Sequence, residues 1–165
     1  MNIFILSENK EICAQYHCDS HIVKMPTETA QILSFAYYHN DLWDNTIPEF
    51  IMGFGKTHDK HPCSLWVRRS LSNSIYAAEL GLELYNEYQY RYNKPDKHTR
   101  VKKIFDFCIE NPPNISDIGL TEFVCAVKPE YMISDNPIEN YRFSYKEDKK
   151  HLHRWTKREI PFFIQ

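Results

Sequence analysis

The stretch from Gln15 to Gln31, which reads QYHCDSHIVKMPTETAQ, limits the possible folds of this chain more than any other. In a helix, which turns about 100° per residue, five of its polar side chains fall within roughly 80° of one another. We call these five residues the polar stripe: His17, His21, Lys24, Glu28 and Gln31. Apolar residues flank the stripe on both sides, which is typical of a helix that forms the wall of a pocket. The flanking residues are Cys13, Ile22, Val23, Met25, Ile32, Leu33 and Phe35.

The same pattern also fits a simpler interpretation. Lys24 and Glu28 are four residues apart, which is the spacing of an ordinary ion pair on a solvated helix surface. We favour the pocket wall because two histidines, a lysine, a glutamate and a glutamine rarely share one helix face by chance. Pro26 is expected either to kink the helix or to end it at Met25, since proline removes a backbone hydrogen bond.

Capping residues and prolines predict where the first two helices begin and end. The first helix is predicted to start after a cap at Ser7 or Asn9 and to run to about Tyr38, with its break at Pro26. A second long helix is predicted from Pro62 to about Tyr92. Steps of three and four residues predict its core seam, which consists of Leu71, Ile75, Ala78, Leu82 and Tyr85.

Two further helices are predicted in the second half of the chain. The third helix spans residues 99–110, and its inward residues are Val101, Ile104, Phe105 and Cys108. Asn136 followed by Pro137 predicts the start of the last helix, which is expected to end near Lys157. Its core face is predicted to contain Ile138, Tyr141, Tyr145, Leu152 and Trp155.

These elements predict a mainly α protein, in which residues 1–165 form one compact, single-domain helical bundle. The apolar run at residues 2–6 is too short to distinguish a strand from an extended segment packed under the helices. Residues 40–60 form a loop by composition, and their aromatic residues indicate either a lid or a packed connector. Residues 114–135 are predicted to be irregular.

The charge and the cysteines limit the possible functions. The formal net charge is −2, which gives no overall reason to bind nucleic acid. Two basic runs, residues 97–103 and 146–158, could still form a local basic surface. No apolar run approaches the roughly 20 residues of a membrane span, and no signal peptide is evident, so we expect a soluble cytoplasmic protein. Five cysteines without paired spacing predict reduced thiols.

The polar stripe suits chemistry on the sugar of a nucleotide, with His17, His21, Lys24 and Glu28 as catalytic residues. An amine that attacks the anomeric carbon forms a Schiff base, while a nearby carboxylate stabilises the cationic sugar and transfers protons. Lys24 is predicted to supply the amine and Glu28 the carboxylate. Because only a neutral amine attacks, Lys24 needs its pKa lowered by burial or by a nearby positive charge such as protonated His21. The predicted partner is therefore DNA or a phosphorylated nucleotide.

Residues from other segments are predicted to bind this substrate. Cationic side chains hold phosphates, and an aromatic ring such as that of Trp66 or Tyr88 stacks on a displaced base. The predicted substrate-binding residues are Gln31, His61, Trp66, Asn73, Glu87, Arg91, Arg142, Tyr145 and Lys149. No cofactor is predicted, because the chain has neither a Walker loop nor a GxGxxG motif.

Four segments resemble those of a phage-type protein family: CAQYHCDSHIVKM, HPCSLW, ELYNEYQYRY and YRFSYKEDKKHLHRW. This pattern is distantly similar to the pyrimidine-dimer DNA glycosylases, which are compact all-helical enzymes that excise damaged bases and nick the strand. The resemblance implies that Glu28 is the counterpart of the family's essential glutamate. It also implies an α-amine nucleophile, exposed when Met1 is removed. This chain departs from that pattern because Asn2 is bulky, so Met1 is expected to be retained and Lys24 to substitute. A viral chain would act in the host cytoplasm.

Three other functions fit parts of the pattern. His17 and His21 have the spacing of a two-histidine metal site, which His58, His61 and Cys63 could complete around zinc, although our primary prediction is that no metal is bound. A pocket that acts on a free nucleotide fits the negative net charge better than DNA does. A non-catalytic interaction protein explains the aromatic content of 15%, but it leaves the polar stripe unexplained.

Overall fold

The computed structural model describes residues 1–39, 47–52 and 58–165, and it confirms the mainly α prediction. This part of the chain contains α-helices and short 3₁₀ turns around one hydrophobic core, and no β-strand. The helices are α1 (Lys10–Tyr16), α2 (Asp19–His39), α3 (Glu49–Met52), α4 (Pro62–Arg69), α5 (Leu71–Tyr92), α6 (Thr99–Glu110) and α7 (Pro137–Glu147). None of the described helices is long and apolar enough to cross a membrane.

The N-terminal segment, residues 1–6, is extended and passes through the protein interior. Residues 3–6 are all buried. Because the segment is not paired in a sheet, side chains satisfy its backbone groups. Cys13 Sγ accepts a hydrogen bond from the Leu6 N–H at 3.2 Å, and Arg142 Nε donates to the Leu6 carbonyl at 2.9 Å. Residues 2–6 are therefore an extended segment packed under the helices, and not a strand.

The first predicted helix is in fact two helices, and its break is not at Pro26. α1 begins after Asn9, whose side chain accepts a hydrogen bond from the Ile12 N–H at 2.9 Å. His17 then adopts an extended backbone, and α2 begins at Asp19 and continues through Pro26. The predicted break at Pro26 is therefore wrong. α2 packs against α4, α5 and α6, and this packing offsets the hydrogen bond that the proline removes.

α5 is the central helix, and its buried face is not the predicted one. It packs against α1, α2, α4 and α6. Within the predicted core seam only Ala78 is fully buried. The buried face instead carries Asn73, Glu87 and Arg91 beside apolar residues such as Leu80. The spacing of apolar residues misses this face because buried polar groups depend on partners from distant segments.

Other predicted boundaries were partly correct. The third helix and its four inward residues are confirmed as α6, and Asn136 caps α7 as predicted. The second predicted helix is divided at Ser70, which has an extended backbone between α4 and α5. α7 ends at Glu147, so the prediction that it reaches Lys157 is wrong.

Val23 was predicted to be buried, but it is 48% exposed.

The predicted lid, residues 40–60, lies partly outside the described residues. Its described part contains α3, in which Ile51 is fully buried. The Phe50 carbonyl accepts a hydrogen bond from Arg100 Nη2 at 3.1 Å, which joins α3 to α6. For this part of the loop, a packed connector is the better interpretation.

A buried ion-pair network fastens the C-terminal segment to α2 and α5. Arg91, whose side chain has no exposed surface, donates to Glu87 at 2.7 Å and to Asp19 at 3.0 Å. Arg158 also donates to Glu87, at 2.8 Å, and the Thr156 hydroxyl donates to Asp19 at 2.7 Å. Burial alone would raise the pKa of Glu87, but the hydrogen bonds from Arg158 and Arg91 outweigh it and lower that pKa. Glu87 is therefore a stably ionised partner inside the protein.

Removing the central cation of this network should destabilise the fold strongly. Arg91→Ala leaves Glu87 and Asp19 without their main partner, and breaking a buried ion pair costs about 3–5 kcal/mol. The control is Lys10→Ala, because Lys10 pairs with Glu79 at 2.9 Å on the surface, where an ion pair contributes about 0–1 kcal/mol. Urea unfolding followed by circular dichroism measures both. Equal urea midpoints for the two variants would contradict a stabilising network.

Candidate functional site

Glu28 is a nearly buried carboxylate that contacts three nitrogen atoms. Its Oε2 accepts a hydrogen bond from the Asn2 N–H at 2.8 Å and lies 3.6 Å from the α-amine of Met1. Its Oε1 pairs with Lys24 Nζ at 2.9 Å. Only 10% of the Glu28 side chain is exposed. A shielded carboxylate with an amine at each oxygen can transfer protons or stabilise a cation. We call Met1, Asn2, Lys24, Glu28 and His61 the Glu28 site.

The two amines of the Glu28 site differ in their surroundings. The Lys24 side chain is 66% exposed, whereas that of Met1 is 6% exposed. The conditions that the sequence analysis required for a neutral Lys24 are not met. Lys24 is not buried, and burial together with Lys149 and Lys24 lowers the pKa of His21 to about 4, so that His21 is neutral near pH 7. The α-amine of Met1, whose side chain is nearly buried, is therefore the second candidate amine at Glu28.

Asn2 fixes the backbone that leads to the α-amine. Its Nδ2 donates to the Ala126 carbonyl at 2.9 Å. Its Oδ1 accepts from the Tyr141 hydroxyl at 3.0 Å and from Cys63 Sγ at 3.2 Å. Together with the bond from its N–H to Glu28, these contacts join four distant segments at one residue. The position of the α-amine relative to Glu28 is thus set by the core and not by local sequence.

His61 caps α4 and lies close enough to the Glu28 site to interact with its charges. Its Nδ1 accepts a hydrogen bond from the Cys63 N–H at 3.2 Å. Burial, followed by the charges of the Met1 α-amine and His58, lowers the pKa of His61, while Glu28 acts in the opposite direction. A neutral imidazole carries one proton, and because Nδ1 accepts, that proton is on Nε2. His61 can therefore donate a hydrogen bond beside the amine and the carboxylate.

His17 and His21 lie together in the core instead of sharing one helix face. His17 Nδ1 donates to the Cys13 carbonyl at 2.8 Å, and His21 Nδ1 is hydrogen bonded to the Tyr145 hydroxyl. The ring of Phe4 stacks on His21 with a centroid separation of 4.8 Å. His17 is only 1% exposed, and its burial and the nearby His21 lower its pKa to about 3. A packing role accounts for His17, which a substrate cannot reach in this conformation.

Basic side chains lie near these residues. The charges of Lys149 and Lys24 both help to lower the pKa of His21. Asp148 partly neutralises the charge of Lys149, because it pairs with Lys149 at 2.6 Å and with Lys128 at 3.4 Å. The role of Lys149 as a phosphate ligand stays a prediction.

Several predicted substrate ligands make internal hydrogen bonds instead. Arg91 and Glu87 belong to the buried network described above. Arg142 bonds to a carbonyl of the N-terminal segment, and its guanidinium lies among the rings of Tyr16, Phe162 and Phe163.

Asn73 and Tyr145 also make internal hydrogen bonds. Asn73 Nδ2 donates to the Trp66 carbonyl and to the Thr121 hydroxyl, both at 2.8 Å. The hydroxyl of the fully buried Tyr145 is bonded to His21. Gln31, the remaining member of the polar stripe, is partly exposed.

Two surface grooves are formed by the described residues. The α4 groove, of about 380 Å³, is lined by Pro62, Leu65, Trp66, Arg69, Glu122, Phe123 and Val124. The α2 groove, of about 530 Å³, is lined by Asp19, Ser20, Val23, Tyr92, His151, Leu152, His153, Arg154 and Thr156. Both volumes are within the range of small-molecule sites.

The possible zinc site does not form in the part of the chain that is described. No three histidine, cysteine, aspartate or glutamate side chains meet there as metal ligands would. Cys63 faces Asn2, and His61 Nδ1 is occupied by the cap of α4. The His17 and His21 rings are 6.3 Å apart but are buried among aromatic residues.

The sequence analysis missed the residues that hold the N-terminus. Asn2 was considered as part of an apolar run and as the residue that favours retention of Met1, but not as a residue with buried hydrogen-bond partners, and Tyr141 was predicted only as a core residue. A polar residue inside a run such as NIFIL is a weak signal, because an asparagine at an apolar position needs buried partners. Which partners meet it cannot be read from spacing along one helix.

Comparison with known proteins identifies no family model that matches the chain, and neither a curated protein nor a solved structure matches it significantly.

The two buried histidines should make the fold sensitive to acid. Both have an ordinary pKa of 6.5 when unfolded, but about 3 for His17 and about 4 for His21 in the folded protein. At a pH between the folded and the unfolded pKa, the unfolded chain binds more protons than the folded protein does. The free energy of unfolding should therefore fall as the pH drops below about 6.5, by about 1.4 kcal/mol per pH unit for each histidine. Urea midpoints from pH 7 to pH 4 measure this slope.

His17→Phe should reduce the slope, because one of the two titrating groups is removed. The control is His151→Gln, which changes an exposed histidine. A slope that is the same in His17→Phe as in His151→Gln would show that His17 does not titrate as described.

Proposed function

We propose that this protein is a DNA-directed glycosylase or lyase in which an amine and Glu28 act together. The observation that carries the proposal is the nearly buried Glu28 carboxylate, which lies 3.6 Å from the Met1 α-amine and 2.9 Å from Lys24 Nζ. An amine and a carboxylate held together in this way are the two groups that Schiff-base chemistry on a sugar requires.

The reaction can be written with these groups and water. The neutral amine attacks C1′ of the nucleotide, the bond from C1′ to the base breaks, and the base leaves with a proton from water. Glu28 takes a proton from the attacking nitrogen and stabilises the positive charge on the sugar. The bond from C1′ to the ring oxygen then opens, this oxygen takes a proton, and a Schiff base remains. Loss of a proton from C2′ expels the 3′ phosphate and cleaves the strand.

The Met1 α-amine is the nucleophile in this proposal, with Lys24 as the second partner of Glu28. In general an α-amine is a weaker base than a lysine ε-amine, which favours it as a nucleophile. The side chain of Met1 is nearly buried, and Asn2 holds the adjoining backbone in place. Like the enzymes that the chain resembles, this proposal uses an α-amine as the nucleophile. It differs from them because Met1 is retained, so the amine is that of Met1.

The surroundings of the Glu28 site suit a nucleotide within a strand. The Nε2–H of His61 can donate to a sugar or phosphate oxygen, and Lys24 and Lys149 can attract the phosphates. The net charge of −2 means that such attraction is local. Binding of DNA is therefore expected to be weak and to decrease with salt.

Borohydride trapping tests the proposal directly. Wild-type protein incubated with DNA that contains an abasic site should form a covalent adduct when borohydride reduces the Schiff base. Glu28→Gln should lower the rate of trapping by about 100-fold or more, since acid–base groups contribute about 10²–10⁴-fold. The matched control is Glu79→Gln, which removes a carboxylate that pairs with Lys10 at the same 2.9 Å. Absence of any adduct with the wild-type protein would contradict the proposal.

The position of the adduct identifies the amine. Intact mass first establishes that the purified chain begins with Met1, and peptide mass mapping then locates the reduced adduct. Lys24→Ala should still form the adduct, whereas a short N-terminal extension should prevent it. An adduct on Lys24 would reject the α-amine while preserving the lyase reaction.

A free nucleotide is the second candidate substrate, and the α2 groove favours it. This groove combines the ring of Tyr92 with the cationic side chain of Arg154 and the imidazole of His151. An aromatic ring beside such groups can accommodate the base and the phosphate of one nucleotide.

Thermal unfolding in the presence of deoxynucleoside monophosphates tests the second candidate. A ligand that binds the native state raises the Tm, by an amount that corresponds to about 2.7 kcal/mol at 100 times its Kd. Arg154→Ala should abolish the increase, because Arg154 is an exposed cation of the groove. An unchanged Tm with every nucleotide would reject this candidate.

A further inference from the structure

The α4 groove adjoins the Glu28 site along the chain. Its walls are α4 and the extended segment of residues 122–124. Pro62, which lines the groove, directly follows His61 of the Glu28 site. The two segments that form the walls also hold Asn2, since Cys63 Sγ donates to its Oδ1 and the Ala126 carbonyl accepts from its Nδ2.

We propose that the α4 groove binds an unpaired nucleobase of the nucleic acid whose sugar reacts at the Glu28 site. This inference rests on the proposed function, because it assigns the base that belongs to the attacked strand. A reacting strand carries bases next to the sugar that the amine attacks, and the α4 groove begins at Pro62, the residue that follows His61.

The lining of the groove has the chemistry of a site for a flat aromatic ligand. Leu65 is 51% exposed, and Phe123 and Val124 are half-buried beside it. Trp66 forms the floor and contacts Phe123 with a ring-centroid separation of 5.7 Å. A solvent-facing leucine between aromatic rings is an apolar surface that none of the described residues covers. Bases stack on such surfaces with little dependence on their identity.

Polar groups at the groove favour a base over a purely apolar ligand. Arg69 and Glu122 are exposed at its edge, where the guanidinium can meet a backbone phosphate. The Nε1 of Trp66 has no hydrogen-bond acceptor among the described residues, although Trp66 is 95% buried. A buried indole N–H usually has a partner. Because the Trp66 Nε1 has almost no exposed surface, the ring has to turn toward the groove to donate to a carbonyl oxygen of a bound pyrimidine.

Binding of short single strands tests this inference without any reaction. The probes are a fluorescent oligothymidylate and an abasic backbone of the same length, whose affinities are measured by anisotropy at low salt. Wild-type protein should bind the oligothymidylate about tenfold more tightly than the abasic backbone, because stacking of a base contributes roughly that factor or more. Leu65→Glu should abolish this difference by placing a charge in the groove.

The matched control is Ile12→Glu, which introduces the same charge at another exposed apolar position on a helix, 40% exposed against 51% for Leu65. Ile12→Glu should lower the affinity for both probes equally and preserve the tenfold preference for the probe that carries bases. Equal affinities of the wild-type protein for the two probes would overturn the inference, as would a preference that survives Leu65→Glu. In either case a protein or peptide would become the better occupant of the groove.

The result can be separated from the test of the reaction. Trapping without base-dependent binding supports the Glu28 chemistry and rejects the groove as the base site. Base-dependent binding that is sensitive to Leu65→Glu, without any trapping, supports the groove and rejects the lyase reaction.

Discussion

Burial of the N-terminal segment is the constraint on which the rest of this structure depends. An extended segment in a protein core has backbone groups that a helix or a sheet would normally satisfy. Here side chains from three helices satisfy them: Glu28 of α2 accepts from Asn2, Cys13 of α1 from Leu6, and Arg142 of α7 donates to Leu6. The helices are therefore arranged around the segment, and this arrangement brings the chain's first amine to a shielded carboxylate.

The buried ion-pair network has a complementary role at the other end of the chain. Arg91 and Glu87 lie on the central helix and bind Asp19 at the start of α2 and Arg158 near the C-terminus. Each of these charges would be costly to bury alone, so the network forms only when all the segments are in place. Arg91 and Glu87, which the sequence analysis predicted to bind a substrate, thus stabilise the fold, and the substrate contacts that we propose for the lyase reaction lie around Glu28.

The sequence analysis was most successful where structure is decided locally. The cap at Asn136 and the α6 pattern from Val101 to Cys108 depend on residues within one or two turns, and both were predicted correctly, while Asn9 is one of the two caps predicted for the first helix. The buried face of α5 was predicted incorrectly, because its polar residues look like surface residues until their distant partners are known. Glu28 was predicted as a catalytic residue, which stays a prediction, and its neighbour Asn2 was not recognised.

The amino-acid sequence by itself determined that this protein is mainly helical and that Glu28 and Lys24 form a pair, because residues four apart on a helix must be neighbours. Only the tertiary structure decided that Met1 and Asn2 join this pair and that His17 is enclosed in the core. It also decided that Arg91 is used internally. The physical reason is that these contacts link segments far apart in the chain, and their geometry follows from how whole helices pack around the buried N-terminal segment.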